Sequence, residues 1–304
     1  LRHQEANIGD DSWGSARDNL FQVLKIIFNP PLRFQFPDDQ RIENALLTLL
    51  SGIVSVADWI GSMVEFFPFE EATTCSPEDY ACLSKERANH ALNRLGWTGW
   101  RADGQKPEFS QIFPFKPNEI QGTVFNYARD FQQPTLLILE APTGCGKTEA
   151  ALYLADNWLQ TIMGSGLYVA MPTQATSNQM YGRIERYLNR RYPLETIHLY
   201  LVHGGSLFAE EEVEIEGIYD DETTSLEGSV RAQSWFLPRK RTFLAPFGVG
   251  TVDQALMSVL QTRHFFVRLF GLGSKVVIFD EVHAYDTYMS TLFERLLAWL
   301  RAIG

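Results

Sequence analysis

Along the first hundred residues, apolar positions recur at helical spacing. In "RIENALLTLLSGIVSVADWIGSMVEFF" (41–67), Ile42, Ala45, Leu46, Leu49, Leu50 and Ile53 fall on one stripe, with no apolar/polar alternation of a strand. This N-terminal part is expected to be all helical. The texture changes in "WRADGQKPEFSQIFPFKP" (100–117), where Pro107, Pro114, Pro117 and Gly104 predict a linker over 101–117. Beyond it, continuous apolar runs alternate with helical patterns. "TLLILE", "GLYVAMP", "IHLYLVHG" and "KVVIFDEVH" read as strands, with "TSNQMYGRIERYLNRR" and "TYMSTLFERLLAWLRAIG" as helices. Strands without alternation are covered on both faces, so the pattern predicts an α/β fold with a parallel sheet and helices on both sides.

Composition adds bounds. The 304 residues are 45% hydrophobic and 21% charged, the balance of a soluble globular protein of two domains. A formal net charge of -11 argues against a general nucleic-acid coat protein and leaves a local basic groove open. Much of the acid lies in "AEEEVEIEGIYDDETTSLEG" (209–228), read as a solvated loop or insertion. Cys75, Cys82 and Cys145 have no CxxC spacing, which predicts a reducing compartment and neither a disulfide framework nor a zinc site. No apolar run is expected to reach the roughly 18 residues of a membrane span, and no signal peptide is read at the N-terminus. A first residue of Leu1 suggests a piece of a longer protein.

The chemistry centres on "APTGCGKT" (141–148), an A-x-x-G-x-G-K-T phosphate loop. Pro142, Thr143, Gly144, Cys145 and Gly146 form the turn. The two glycines let backbone N–H groups converge on phosphate oxygens, Lys147 meets the β- and γ-phosphates of ATP, and Thr148 ligates Mg²⁺. Its expected partner is "VVIFDEVH": Asp280 holds the Mg²⁺ water shell, Glu281 orients or deprotonates the attacking water, and His283 couples nucleotide state to the rest of the protein. Alone, such an acidic pair also serves as a helix cap or surface feature. Upstream, Gln121 can read an adenine edge through its amide, or be an exposed helix glutamine.

Together with "AMPTQATSNQMYGRI", these motifs resemble superfamily 2 DExH helicases. The resemblance implies a RecA-like P-loop domain in which Pro172 and Thr173, and Gly250 and Thr251 of "GVGTVDQAL", touch a single-stranded DNA backbone. Arg183, Arg186 and Arg190 share one helical face, read as solvated or as a basic surface, while Ile184, Tyr187 and Leu188 face inward. "PRKRTF" (Arg239, Lys240, Arg241) is a second basic candidate.

"LAPFGVGTVDQALMSVLQTRHFFVRLFGLGSKVVIFDEVHAYDTYM", "PTQATSNQMY", "VHGGS" (His203, Gly204) and "SGIVSVADWIGS" resemble the CRISPR-associated helicase–nucleases of type I systems. That likeness implies an HD-type nuclease domain, here its C-terminal part, over 1–100, and a first RecA-like domain over 118–304. It implies a divalent transition metal at the HD site with Asp58 as one ligand; read alone, Asp58 equally caps a helix. It also implies a crRNA-guided surveillance complex as partner, a prokaryotic cytoplasmic location and no membrane association. No His-Asp dipeptide occurs in the chain, and His3 is the only histidine before Asp58. The chain by itself is therefore expected to be neither a competent nuclease nor an active DNA-stimulated ATPase, and to bind nucleotide weakly. Two other readings stay open: a superfamily 2 helicase with an accessory helical domain, and a non-catalytic docking module.

Overall fold

In the computed structural model, residues 11–304 are described except 34, 70–75, 98–99, 132, 134, 196, 203–229 and 232–241. His3, His203, Gly204, the acidic stretch 209–228 and the Arg239–Arg241 triplet lie outside the described residues. The chain divides into two units, Leu1–Asp38 with Trp59–Ala91, and Asp39–Asp58 with Leu92–Gly304.

The first unit is helical. Its helix α1 (Asp11–Phe28) leaves Trp13, Leu20, Phe21 and Phe28 exposed. It also takes the end of α2 (Gln40–Gly61) and most of α3 (Pro77–Arg94), and Phe66 meets His90 edge-on at 6.0 Å. The helical expectation for residues 41–61 holds. One expectation needs correction: α2, with 22 residues, is long and apolar enough by length and composition to cross a bilayer. Within the second unit this helix is a packing element. Ala45 is buried in an apolar core, and Gly52 lies so close to Phe270 that a Cβ there would stand 2.4 Å from the phenylalanine Cβ.

The second unit is built on a parallel five-stranded sheet of β1 (Gly166–Met171), β2 (Ile197–Val202), β3 (Val230–Arg231), β4 (Phe247–Thr251) and β5 (Lys275–Phe279), in the order β3-β2-β4-β1-β5. All six residues of β1 are buried, because a central parallel strand is covered on both faces. Leu167, Val169 and Met171 enter one core with Phe247 and Val249, closed by α4 (Phe109–Ile112), α6 (Lys147–Ile162) and α7 (Gln174–Arg191). Tyr168 and Ala170 enter the other, with α8 (Val252–Leu256), α9 (Phe265–Leu272) and α10 (Thr287–Ile303). On that second face β4 offers only Gly248 and Gly250. A Cβ at Gly248 would stand 3.0 Å from the Tyr168 ring, so this glycine makes room for a buried tyrosine.

Two expectations change. The apolar run "TLLILE" (135–140) joins no strand ladder; Leu136 and Ile138 are exposed, and Leu137 and Leu139 are half-buried. Its composition fits a two-sided strand, but only alternate side chains are covered. The linker expected over 101–117 is instead part of the core. Ala102, Phe109, Ile112 and Phe113 are buried, and the prolines punctuate packed turns around the short α4.

A buried polar network fixes this segment to α6 and α7. Asp156 accepts from Tyr187 Oη at 2.8 Å and from Arg191 Nε at 3.0 Å. Arg191 Nη2 continues to Asp103 at 3.1 Å and to the Gln105 carbonyl at 2.8 Å. Gln160 accepts from the Gly104 N–H and donates to Tyr192. Burial pushes the Asp156 carboxyl above the usual carboxylate range, against the opposing pull of Arg191 and of the Tyr187 hydrogen bond.

Gly166, at the start of β1, has φ +147, and a Cβ there would lie 1.7 Å from the Pro246 carbonyl oxygen. Gly166→Ala is expected to cost about 2–5 kcal/mol through backbone strain and overpacking, lowering Tm by roughly 5–15 °C in thermal unfolding. Gly122→Ala, in open space on a helix, is the matched control and leaves Tm unchanged or raises it.

Candidate functional site

The phosphate loop follows from two glycines. Gly144 and Gly146 adopt φ +81 and +83, a region that costs glycine little and other residues more. Gly146 is the N-cap of α6, so Lys147 and Thr148 are its first two residues and the loop meets a helix N-terminus. Pro142, Thr143 and Gly144 are exposed, and Cys145 is a half-buried free thiol. Lys147 Nζ folds back over the loop, donating to the carbonyls of Ala141 at 2.7 Å and Pro142 at 3.1 Å.

The loop is held from behind by α5 (Glu119–Ala128). Asn118 and Gln121 form a reciprocal capping box: Asn118 Oδ1 accepts from Gln121 N, and Gln121 Oε1 accepts from Asn118 N. Each then turns its amide N–H group to the loop. Gln121 Nε2 donates to the Gly146 carbonyl at 3.1 Å, and Asn118 Nδ2 to that of Cys145 at 2.8 Å. Gln121 is thus buried and engaged, where the sequence reading offered an adenine reader or an exposed glutamine. Any Cβ at position 146 would lie 2.3 Å from Gln121 Nε2, so the glycine is needed for this contact as well as for its φ.

The second cluster caps β5. Asp280 N donates to the Ala170 carbonyl at 3.0 Å, extending the β1–β5 ladder by one residue, and its Oδ1 accepts from Glu281 N at 3.0 Å. Glu281 adopts φ +57, a left-handed conformation that costs a non-glycine residue on the order of 1–3 kcal/mol. Its carboxylate lies 3.3 Å from His283 Nδ1, both side chains being solvent-exposed. Burial and the carboxylates of Asp253 and Asp280 push the Tyr285 phenol above its ordinary value, so it stays neutral beside this acidic strand end.

Register brings the remaining candidates to the same end of the sheet. Ala170 pairs with Gly250 and Phe279, and Met171 with Thr251, so Pro172–Thr173, Gly250–Thr251 and Asp280–Glu281 leave one carboxyl edge. Open α/β sheets bind ligands at that edge. Thr173 is the N-cap of α7, its hydroxyl accepting from Thr176 N, and Ser177 donates to its carbonyl. Gly250 and Thr251 are buried within β4. The helix α6, which begins with Lys147 and Thr148, packs beside β5.

Two features of this region escaped the sequence reading. Asn118 is signalled by the N-x-x-Q spacing of a capping box ahead of a helix. The ion pair between Arg183 and Glu149 ties the first turn of α6 to the middle of α7, and nothing in the sequence pairs residues so far apart. Of the three arginines in question, Arg183 is therefore engaged, while Arg186 donates to the carbonyl of Gly182 on its own helix. Asp58 stands apart: it is exposed on α2, and among the described residues no group of three His, Cys, Asp or Glu side chains could hold a metal.

Comparison with known proteins identifies the family. The DEAD/DEAH box helicase family matches residues 118–302, and the Cas3 HD domain matches residues 1–67. The CRISPR-associated endonuclease/helicase Cas3 of Thermus thermophilus is 41% identical, over 97% of this chain and 32% of its own length. The crystal structure of T. fusca Cas3 with ADP superposes with a TM-score of 0.76 at 31% identity, covering 95% of this chain and 32% of that one. A chain of a CRISPR RNA-guided surveillance complex, in a pre-nicking state, superposes with a TM-score of 0.58 at 29% identity, covering 97% of this chain and 28% of that one. The chain spans about a third of the length of the curated relatives it matches. It belongs to the DEAD/DEAH box helicase family, and along nearly its whole length it is similar to the Cas3 helicase–nucleases.

Proposed function

We propose that this chain supplies the nucleotide-binding core of an ATP-driven single-stranded DNA translocase, coupled to a metal-dependent nuclease in type I CRISPR interference. In this reading residues 118–304 are the first RecA-like domain and residues 1–100 belong to an HD-type nuclease domain. The protein acts in the cytoplasm of a prokaryote, recruited by a crRNA-guided surveillance complex to degrade invader DNA. The observation that carries it is the convergence of Pro172–Thr173, Gly250–Thr251 and Asp280–Glu281 on one sheet edge, with a left-handed glycine loop opening α6. The similarity to Cas3 proteins, and to a chain of a CRISPR RNA-guided surveillance complex, supports the setting.

The loop residues fit a nucleotide triphosphate. Gly144 has open space where a side chain would stand, and Lys147 holds its ammonium over the loop through two carbonyls that a phosphate can replace. Bound Mg-ATP supplies the phosphoryl group whose transfer drives the motor. Lys147 would neutralise charge on the β- and γ-phosphates, and Thr148 and Asp280 would hold the Mg²⁺. Glu281 takes the proton of an attacking water, and His283, beside it, carries the state of the site outward. Gln121 holds the loop through the Gly146 carbonyl, and a second hydrogen on Nε2 is what it would offer an adenine edge. Thr173 and the backbone at Gly250–Thr251 offer sequence-independent contacts to a DNA strand.

The HD metal is a different case. Asp58 is exposed and belongs to no group of three His, Cys, Asp or Glu side chains among the described residues, which does not fit a transition-metal site, so no cleavage step is assigned to these residues.

The test is a titration of fluorescent ATP with and without Mg²⁺. Asp280→Asn is expected to lose the Mg²⁺-dependent gain in affinity, roughly tenfold, while keeping metal-free binding. A Mg²⁺ response equal to that of the unmodified protein sinks the assignment of Asp280.

A further inference from the structure

A cavity of about 300 Å³ opens where residues 105–107 pass the C-terminal end of α7, with Ile112 of α4 in its wall. Lys106, Arg190, Arg191 and the side chains of Gln105 and Gln111 line it, and no carboxylate does. The hydrogen-bond inventory is one-sided. Arg191 is fixed by Asp156, Asp103 and the Gln105 carbonyl through Nε and Nη2, which leaves Nη1 without an acceptor among the described residues. Gln111 accepts from Glu108 N through Oε1, which leaves its Nε2 hydrogens. Lys106, Arg190 and the Gln105 amide likewise have no acceptor among the described residues. Five residues with unused N–H donors therefore line one concave space, among them the cations Lys106 and Arg190, with Arg191 already paired to Asp103 and Asp156.

Basic residues at a helix C-terminus also complement the helix dipole, which accounts for Arg190 and Arg191. It does not account for Lys106 and two amides on another segment facing the same cavity. The buried network holds the Arg191 guanidinium in place with Nη1 free of acceptors among the described residues, a single pre-oriented charge-assisted donor of the kind phosphate recognition uses. We propose that this cavity binds a compact phosphate anion, a diphosphate or two neighbouring phosphates, at a site separate from the phosphate loop. The α7 helix starts at the carboxyl edge of the sheet and runs 18 residues, so at 1.5 Å per residue the cavity lies about 27 Å from that edge. No aromatic side chain lines the cavity, which favours a compact anion over a stacked strand.

The experiment is isothermal titration with pyrophosphate in a Lys147→Ala background, which disarms the loop. Saturable binding is expected, weakened about tenfold or more when Lys106→Ala and Arg190→Ala are added. Both added substitutions are at exposed positions, so an unchanged Tm verifies the fold. A short oligodeoxythymidylate serves as competitor. Displacement of pyrophosphate identifies strand phosphates as able to enter the same site, and no displacement identifies a free anion. Absence of saturable pyrophosphate binding, an affinity indifferent to Lys106 and Arg190, or oligonucleotide binding there that pyrophosphate does not displace overturns the proposal.

Discussion

Lys147→Ala is expected to weaken ATP binding by about ten- to a hundredfold while leaving the thermal unfolding of the protein nearly unchanged. In the free protein the Lys147 ammonium is half-buried and held by the Ala141 and Pro142 carbonyls, so it is pre-placed above the loop. A charge-assisted contact to phosphate is worth roughly 1.5–3 kcal/mol, and each 1.4 kcal/mol is a factor of about ten in affinity. Part of that gain is offset because the ammonium must leave two carbonyls to reach the ligand. Fluorescent-nucleotide titration reads the affinity, and scanning calorimetry reads the fold. An unaltered affinity at an unaltered Tm removes Lys147 from the site.

Asp156→Ala is expected to cost about 3–5 kcal/mol and on the order of 10 °C in Tm. The Arg191 side chain is 5% exposed and loses the acceptor of its Nε, while the buried Tyr187 hydroxyl loses its hydrogen-bond partner on the same carboxylate oxygen. Asp103, 29% exposed, cannot reach both donors. Asp156→Asn keeps an oxygen for both and is expected to lose clearly less. Equal losses in the two variants mean that packing, not the buried charge, holds residues 101–107 to α6 and α7. Because Arg191 walls the phosphate cavity, Asp156→Ala also loosens the guanidinium that cavity depends on.

The nucleotide loop was the most legible part of the molecule. The function proposed for it rests on a contiguous run of residues, Ala141–Thr148, whose glycines, lysine and threonine are adjacent in the chain, and both glycines have the positive φ of the motif. The helical stripes of α2, α7 and α10 were legible for the same local reason, as was the all-buried run of β1. "TLLILE" was misread because apolar composition reports a strand's likeness to its neighbours and not whether a neighbour pairs with it. The segment 101–117 was misread because prolines and a glycine mark turns, and a turn can be packed or free with the same residues. Strand β4 went unread because two of its five residues are glycines, which weaken a strand by propensity; Gly248 lies against the Tyr168 ring.

By itself the sequence determined what depends on neighbours along the chain: the helices, the apolar strand cores, the phosphate loop and the acidic pair at the end of β5. Tertiary structure alone decided what depends on distant residues meeting. It set the register that brings Pro172, Thr251 and Asp280 to one edge, and turned Gln121 and Asn118 onto the loop carbonyls. It also paired Glu149 with Arg183 and gathered Lys106, Arg190 and Arg191 around one cavity. The physical reason is that a local pattern fixes backbone conformation and which face is apolar. Hydrogen bonds and ion pairs between segments exist only after burial of those faces has chosen which segments lie side by side.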